Sequence, residues 1–273
     1  MNSFCDTFAR VDEYLVHSLS ENSQLGKQEQ LQLEKYYSSY KRKFPPYVRG
    51  HYASQVDEVE ALLKSRLGLR ILEVGCGCGT EAIWFAAHGA SVVGIDLSEK
   101  RLGVARHRAK LIREDFGTKL DLVFVLASLF DLDYEEEFDV IWMEQAFHHI
   151  EPRHRVAPFI SRLLKPGGRL ILSESNAWNP LVQMSYFFQR GFKTTKTFTD
   201  ANGRQHPYGV ERITTPFSLS KVFSQKVFTT ESVRYFRTLP NVAFVDRLSF
   251  IDRVVPQFLV PAFTHYNMVL RKK

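Results

Sequence analysis

The chain has 273 residues with 44% apolar and 24% charged side chains, the proportions of a globular protein with a full core and not of a disordered or fibrous one. No run approaches eighteen uninterrupted apolar residues, and Met1-Asn2-Ser3-Phe4-Cys5-Asp6 lacks the basic start and apolar stretch of a secretion signal, so a cytoplasmic protein without a transmembrane segment is expected. The net charge of +6 is uneven: residues 1–180 hold 22 basic and 25 acidic side chains and residues 181–273 hold 14 and 5, which makes the last third either a solvated face or a place for an anionic substrate, nucleic acid or membrane surface.

In chain order, residues 4–43 read as helical, with Gln28–Lys43 rich in helix formers until Pro45-Pro46 interrupts them, and residues 1–50 are expected to form a separate helical lid. Ala53–Arg66 places Val56, Val59, Leu62 and Leu63 at helical spacing. From there the pattern alternates. Strands are predicted at Leu69–Val74, Ser91–Ile95, Leu120–Leu126, Phe138–Met143 and Arg169–Glu174, with helices over Thr80–His88, Glu99 to about Arg113 behind a Ser98 cap, and Arg153–Leu164. Such alternation implies βαβ units, a largely parallel sheet and an α/β core over residues 51–175. Between Asn176 and Pro240 the alternation breaks in favour of Phe, Tyr and basic residues, read as a folded cap inserted over residues 176–240. Residues 241–273 are expected to supply the final strands, Val242–Phe250 and His265–Leu270.

The first predicted strand runs into Gly75-Cys76-Gly77-Cys78-Gly79. Glycines there let the backbone approach a ligand closely and reach positive φ. The second strand ends at Asp96, seventeen residues beyond Gly79, where a carboxylate can accept hydrogen bonds from two ribose hydroxyls. Gly77–Ala82 also fits the dinucleotide fingerprint G-x-G-x-x-A. Glu73, two positions before the first glycine, argues against it, because a carboxylate suits an ammonium or sulfonium ligand and not a pyrophosphate. Cys76 and Cys78 lack zinc partners at a suitable spacing, so no metal site is expected and both read as small residues that fit the turn.

Four motifs in order, Glu73 to Gly79, Gly94-Ile95-Asp96-Leu97-Ser98, Phe138-Asp139-Val140-Ile141, and Leu163-Leu164-Lys165-Pro166-Gly167-Gly168-Arg169-Leu170, resemble those of the class I S-adenosylmethionine-dependent methyltransferases. The resemblance covers about residues 50–175 and implies a Rossmann-like fold with a mostly parallel seven-stranded sheet, helices on both faces, and S-adenosylmethionine as cofactor. It implies that Glu73 and the backbone of Gly75, Cys76, Gly77 and Gly79 follow the methionine part, that Asp96 holds the ribose and that Leu97 packs on the adenine. Where the family often has an adenine-binding Asp, this chain has Ser128, followed by Leu129; Asp131 is the alternative partner.

The segment after the fourth strand, Glu144 to Pro152, is expected to border the reacting methyl group, with Glu144 facing the cofactor and His149 or His148 as a general base. In the cap, His206 and Tyr208 are the candidate substrate contacts; Tyr36, Tyr37, Arg49 and His51 are candidates for closing over the cofactor. Aromatics interspersed with cations suit a small, partly apolar, anionic acceptor. RNA methylation, a catalytically silent cofactor-binding scaffold and, last, an NAD-dependent oxidoreductase are the other readings.

Overall fold

The first apolar strand is buried on both faces, and the rest of the architecture follows from what covers it. In a computed structural model describing residues 3–20, 23–242 and 244–273, six helices precede that strand: α1 (Phe4–Thr7), α2 (Val11–Ser18), α3 (Lys27–Tyr36), α4 (Ser38–Arg42), α5 (Pro46–Ser54) and α6 (Asp57–Ser65). Then come β1 (Arg70–Val74), α7 (Thr80–Ala87), β2 (Ser91–Asp96), α8 (Glu99–Phe116), β3 (Leu122–Leu126), β4 (Phe138–Glu144), α9 (Val156–Leu163) and β5 (Leu164–Ser175). The chain continues through α10 (Pro180–Arg190), β6 (Thr195–Thr199), β7 (Gln205–Gly209), α11 (Pro216–Val222), β8 (Phe228–Phe236), α12 (Ile251–Val254) and β9 (His265–Lys272).

The main sheet has seven strands in the order β3-β2-β1-β4-β5-β9-β8, and β9 runs antiparallel to both of its neighbours. Order reverses on either side of β1, which makes the gap between the carboxyl ends of β1 and β4 a crevice where a ligand can enter. Alternation along the strands divides the core. Ile71, Val140 and Trp142 face a cluster with the N-terminal helices, α7 and α8, while Leu72, Val74, Ile141 and Met143 face one with α9 and α11.

Three expectations change. The penultimate strand is Phe228–Phe236, whereas Val245–Leu248, within the expected strand, forms a short helical turn; Asp246, Arg247 and Ser249 break the apolar pattern there. The helical run before Pro45-Pro46 ends at Arg42 as expected, but Pro46 also starts α5, because its missing N–H is harmless at the first helical position; the expected helix over 53–66 is accordingly two, α5 and α6. The N-terminal helices are also more than an overlying lid. Phe4, Leu15 and Leu33 are buried in the main core, the Trp84 indole N–H donates to the Phe8 carbonyl at 3.1 Å, and the Tyr37 hydroxyl donates to Thr80 Oγ1 at 2.8 Å.

Candidate active site

The carboxyl ends of β1, β2, β3 and β4 open into a cavity of about 690 Å³. Its cofactor-side wall contains Gly75, Asp96, Leu97, Ser128, Leu129 and Glu144, six of the residues expected there. Tyr36, Tyr37 and Tyr40 reach in from the N-terminal helices, and His149, Tyr186, His206, Tyr208 and Arg237 form the opposite side. Arg49 and His51 do not reach it. Arg49 pairs with Asp12 at 3.1 Å and His51 with Asp252 at 2.6 Å, so both tie helices to neighbouring segments.

The glycine turn shapes the cavity more than it lines it. Cys76, Gly77 and Gly79 stand behind the wall, and their amides are spent inside the protein: Gly75 and Cys76 donate to the Ile95 carbonyl at 2.8 and 2.9 Å, Gly77 to Asp96 Oδ2 at 3.0 Å, and Gly79 to the Cys76 carbonyl at 2.8 Å. Of the expected backbone contacts, only Gly75 lines the cavity directly. A methyl group on Gly77 would collide with the Tyr36 hydroxyl, so the tyrosine fills the space the glycine leaves open. Gly79 (φ +75°) begins α7 in the left-handed region, and a Cβ there would meet the Phe124 ring at 2.7 Å. The two cysteines are buried and free. Burial pushes the Cys76 thiol well up and the Cys78 thiol to about 12, so neither is a thiolate nucleophile at neutral pH.

Carboxylates crowd the end of β1. Glu73 is 3% exposed and its Oε2 has no hydrogen-bond partner; burial, then the charges of Glu81 and Glu144, raise its pKa well above the usual range. The same burial, with Glu81 nearby, raises Glu144 to about 8, although the Gln55 amide donates to it at 3.0 Å. Asp96 accepts from the Ser98 amide at 2.8 Å as well as from Gly77, with Arg101 3.7 Å away. Ser128 Oγ accepts from the Phe130 amide at 3.3 Å, and Asp131, the alternative adenine partner, folds back onto the Ser128 amide at 3.2 Å.

The two histidines differ sharply. His148 is held at Nδ1 by Glu174 (2.6 Å) and faces Glu211 from Nε2 (3.4 Å). Burial alone would lower its pKa, but these carboxylates outweigh it and raise the ring to about 9. A cation clamped between two anions is a poor base, so the structure removes His148 from that role. His149 has Nδ1 2.9 Å from the Gly209 carbonyl and stacks on Tyr208 with ring centroids 4.4 Å apart. Because a carbonyl can only accept, Nδ1 carries the hydrogen and Nε2 the lone pair; burial, then the charge of His148, lowers the pKa to about 4. His148, His149 and Glu211 also form a group of ligand-type atoms within 4.8 Å of one another, and the His148 proton already supplies the positive charge between its carboxylates. His206 bonds to Asp200 at 2.9 Å within the β6–β7 hairpin, which Tyr208 joins to the post-β4 segment by pairing with Ile150.

Residues 72–172 match the family model described as a methyltransferase domain. Residues 72–172 thus form a methyltransferase domain of the class I S-adenosylmethionine-dependent type. Among similar proteins, 27-O-demethylrifamycin SV methyltransferase of Amycolatopsis mediterranei is 38% identical over 120 residues, 43% of each chain. A ubiquinone biosynthesis O-methyltransferase of Dechloromonas aromatica is 39% identical over 124 residues, 45% of this chain and 50% of its own. The matched region thus spans about half the length of these curated relatives. Magnesium protoporphyrin IX methyltransferase from Synechocystis, solved with S-adenosylhomocysteine, shares the fold with a TM-score of 0.56 at 18% identity, over 91% of this chain and all of its own.

S-adenosylmethionine is the methyl donor of this family, and the carboxylates at the ends of β1 and β4 fit it, Glu144 in the cavity wall and Glu73 buried behind it. The orphaned Glu73 oxygen and the raised pKa of Glu144 mark carboxylates that lack a cation, which the donor's ammonium and sulfonium charges would provide. The residues missed from sequence are Tyr40, Arg101, Glu174, Tyr186, Glu211 and Arg237. Glu174 had a readable signal, an acidic residue at the carboxyl end of a predicted strand. Glu211 (φ +44°) and Arg237 (φ +60°) adopt left-handed backbone that no local motif announces.

Proposed function

We propose that the protein transfers the methyl group of S-adenosylmethionine to a hydroxyl oxygen of a small, partly apolar, anionic acceptor, with His149 as the general base. The observation that carries this reading is the His149 tautomer: an imidazole neutral across the physiological range, its Nδ1 committed to Gly209 and its Nε2 free, in the wall of the cavity. The bound donor would supply an electrophilic methyl and leave as a thioether. Its holding falls to Asp96 for the ribose, Leu97, Ser128 and Leu129 for the adenine, and Glu73, Glu144 and Gly75 for the methionine end. The acceptor oxygen gives a lone pair to the new carbon–oxygen bond, and its proton passes to His149 Nε2. A weak base suffices, because the hydroxyl proton becomes strongly acidic as that bond forms. Tyr36, Tyr37 and Tyr40 exclude water from above, and burial holds each phenol in its neutral form.

The acceptor's chemistry is read from the opposite wall. Phe198, Tyr186 and Tyr208 give apolar surface, while Lys196, 4.9 Å over the Tyr208 ring, and Arg237 supply positive charge for a carboxylate or phosphate. Relatives named for an O-demethyl substrate and an O-methyltransferase activity agree with an oxygen acceptor. The test is transfer of labelled methyl to a panel of phenolic and lipid-linked hydroxyl acceptors. His149→Ala is expected to lower kcat about 10²- to 10⁴-fold with S-adenosylmethionine affinity retained, and the wild-type rate should persist in acid until pH approaches about 4. Cofactor binding without labelled product across the panel would favour a silent binding protein.

A further inference from the structure

Helix α10 buries none of its side chains, although it stands beside the active-site cavity. Its first turn is well made, with Asn179 Oδ1 accepting from the Leu181 and Val182 amides at 3.0 Å, so the exposure is not fraying of an unformed helix. Tyr186 points inward, lines the cavity and shares a 2.9 Å hydrogen bond with Ser175. The other side carries Leu181, Met184 and Phe188 into solvent, 66%, 51% and 78% exposed, and Phe192 follows at 90%. A second exposed apolar segment, Phe250 to Leu259, includes Phe258 at 79%. The two segments are neighbours, since the Asn176 side-chain amide, just before α10, donates to the carbonyls of Val260 (2.9 Å) and Phe263 (2.8 Å).

Charge identifies the occupant. The two acidic residues of this region are engaged by helix α5: Asp246 accepts from the Tyr47 amide at 2.7 Å, and Asp252 is bound by His51 and Tyr47. Lys193, Arg247 and Arg253 are exposed beside the apolar side chains and pair with no carboxylate among the described residues. Protruding aromatic and aliphatic side chains interleaved with unpaired cations are the pattern of a surface that enters the headgroup layer of an anionic bilayer. A second copy of the chain fits less well, because a symmetric contact would set the same cations against one another. Among the described residues no helix is long and apolar enough to cross a membrane.

We propose that α10 and the 244–259 segment dock this protein on an anionic lipid surface, with the acceptor cavity held against the bilayer. Delivery of a lipid-like acceptor from that surface to the cavity past Tyr186 rests on the methyl-transfer reading; the docking does not. Sedimentation of the whole chain with vesicles tests it. Phosphatidylglycerol vesicles should carry the protein down at low salt, with the bound fraction falling as salt rises, and phosphatidylcholine vesicles should bind it at least about tenfold less. Phe188→Glu combined with Phe258→Glu, and separately Lys193→Glu combined with Arg253→Glu, should each weaken binding about tenfold or more. Calorimetry with S-adenosylhomocysteine, run on the same variants, should give unchanged affinity and show that each is folded; it also reports on the cofactor independently of the lipid result. Absence of binding to phosphatidylglycerol at low salt overturns the proposal. So does a dimer in sedimentation velocity that Phe188→Glu abolishes, which would make this face a contact between copies.

Discussion

The two walls of the cavity are built in opposite ways. The cofactor wall is drawn from the ends of four consecutive strands and the turns just after them, Gly75 after β1, Asp96 and Leu97 at β2, Ser128 and Leu129 after β3 and Glu144 at β4, and the turn after β1 bonds to β2 through its backbone. The acceptor wall gathers residues from the post-β4 segment, α10, the β6–β7 hairpin, Glu211, Arg237 and His265, and it is held by side-chain pairs such as Glu174 with His148. A wall made of strand ends carries its geometry in short local motifs and binds what is common to a family. One assembled from distant segments can change its acceptor without disturbing the first.

If that contrast is right, the largest stability loss should follow the smallest change in the cofactor wall. Gly79→Val places a branched side chain in left-handed backbone and against Phe124 and Ala105, and should cost about 3 kcal/mol or more in urea unfolding; a loss below about 1 kcal/mol would mean the turn is more yielding than its contacts imply. Next in size, Asp96→Ala removes the acceptor for the Gly77 and Ser98 amides together with the expected ribose contact. Affinity for S-adenosylhomocysteine should fall by about 2–3 kcal/mol, roughly 30- to 150-fold, and unchanged affinity by calorimetry would place the ribose elsewhere.

The smallest effect belongs to the acceptor wall and depends on pH. Glu174→Gln takes a buried anion from His148 and should destabilise the protein by about 2 kcal/mol at pH 6. His148 has a folded pKa of about 9, above its ordinary 6.5, so its contribution is complete below 6.5 and is lost as pH rises through about 9. The gap between wild type and variant, measured by urea midpoints, should therefore shrink at pH 10. An equal gap at both pH values would show that His148 is not the cation of the pair.

The same contrast explains what could be read in advance. Asp96, Leu97, Ser128, Leu129 and Glu144 could be expected on one cavity wall because each ends a strand or follows a motif at fixed spacing, and strand ends converge in any parallel α/β sheet. Cys76, Gly77 and Gly79 lie in the expected turn but behind the cavity surface, and a spacing pattern does not say which amides the protein uses for itself. His148 and His149 were indistinguishable as neighbours in sequence. Their partners, Glu174 and Glu211 for one and the Gly209 carbonyl for the other, lie 26 to 63 positions away.

By itself, then, the sequence determined the α/β alternation, the glycine turn, the carboxylate at the end of β2 and the methyltransferase-domain motifs, because these depend on periodicity and on residues close along the chain. Only the tertiary structure decided which histidine is neutral, where the penultimate strand lies, that Tyr36 covers Gly77, and that α10 turns its apolar side outward. Each of those depends on burial and on charges brought together from distant segments, and a pKa or an exposed face is a property of such surroundings and not of the residue that carries it.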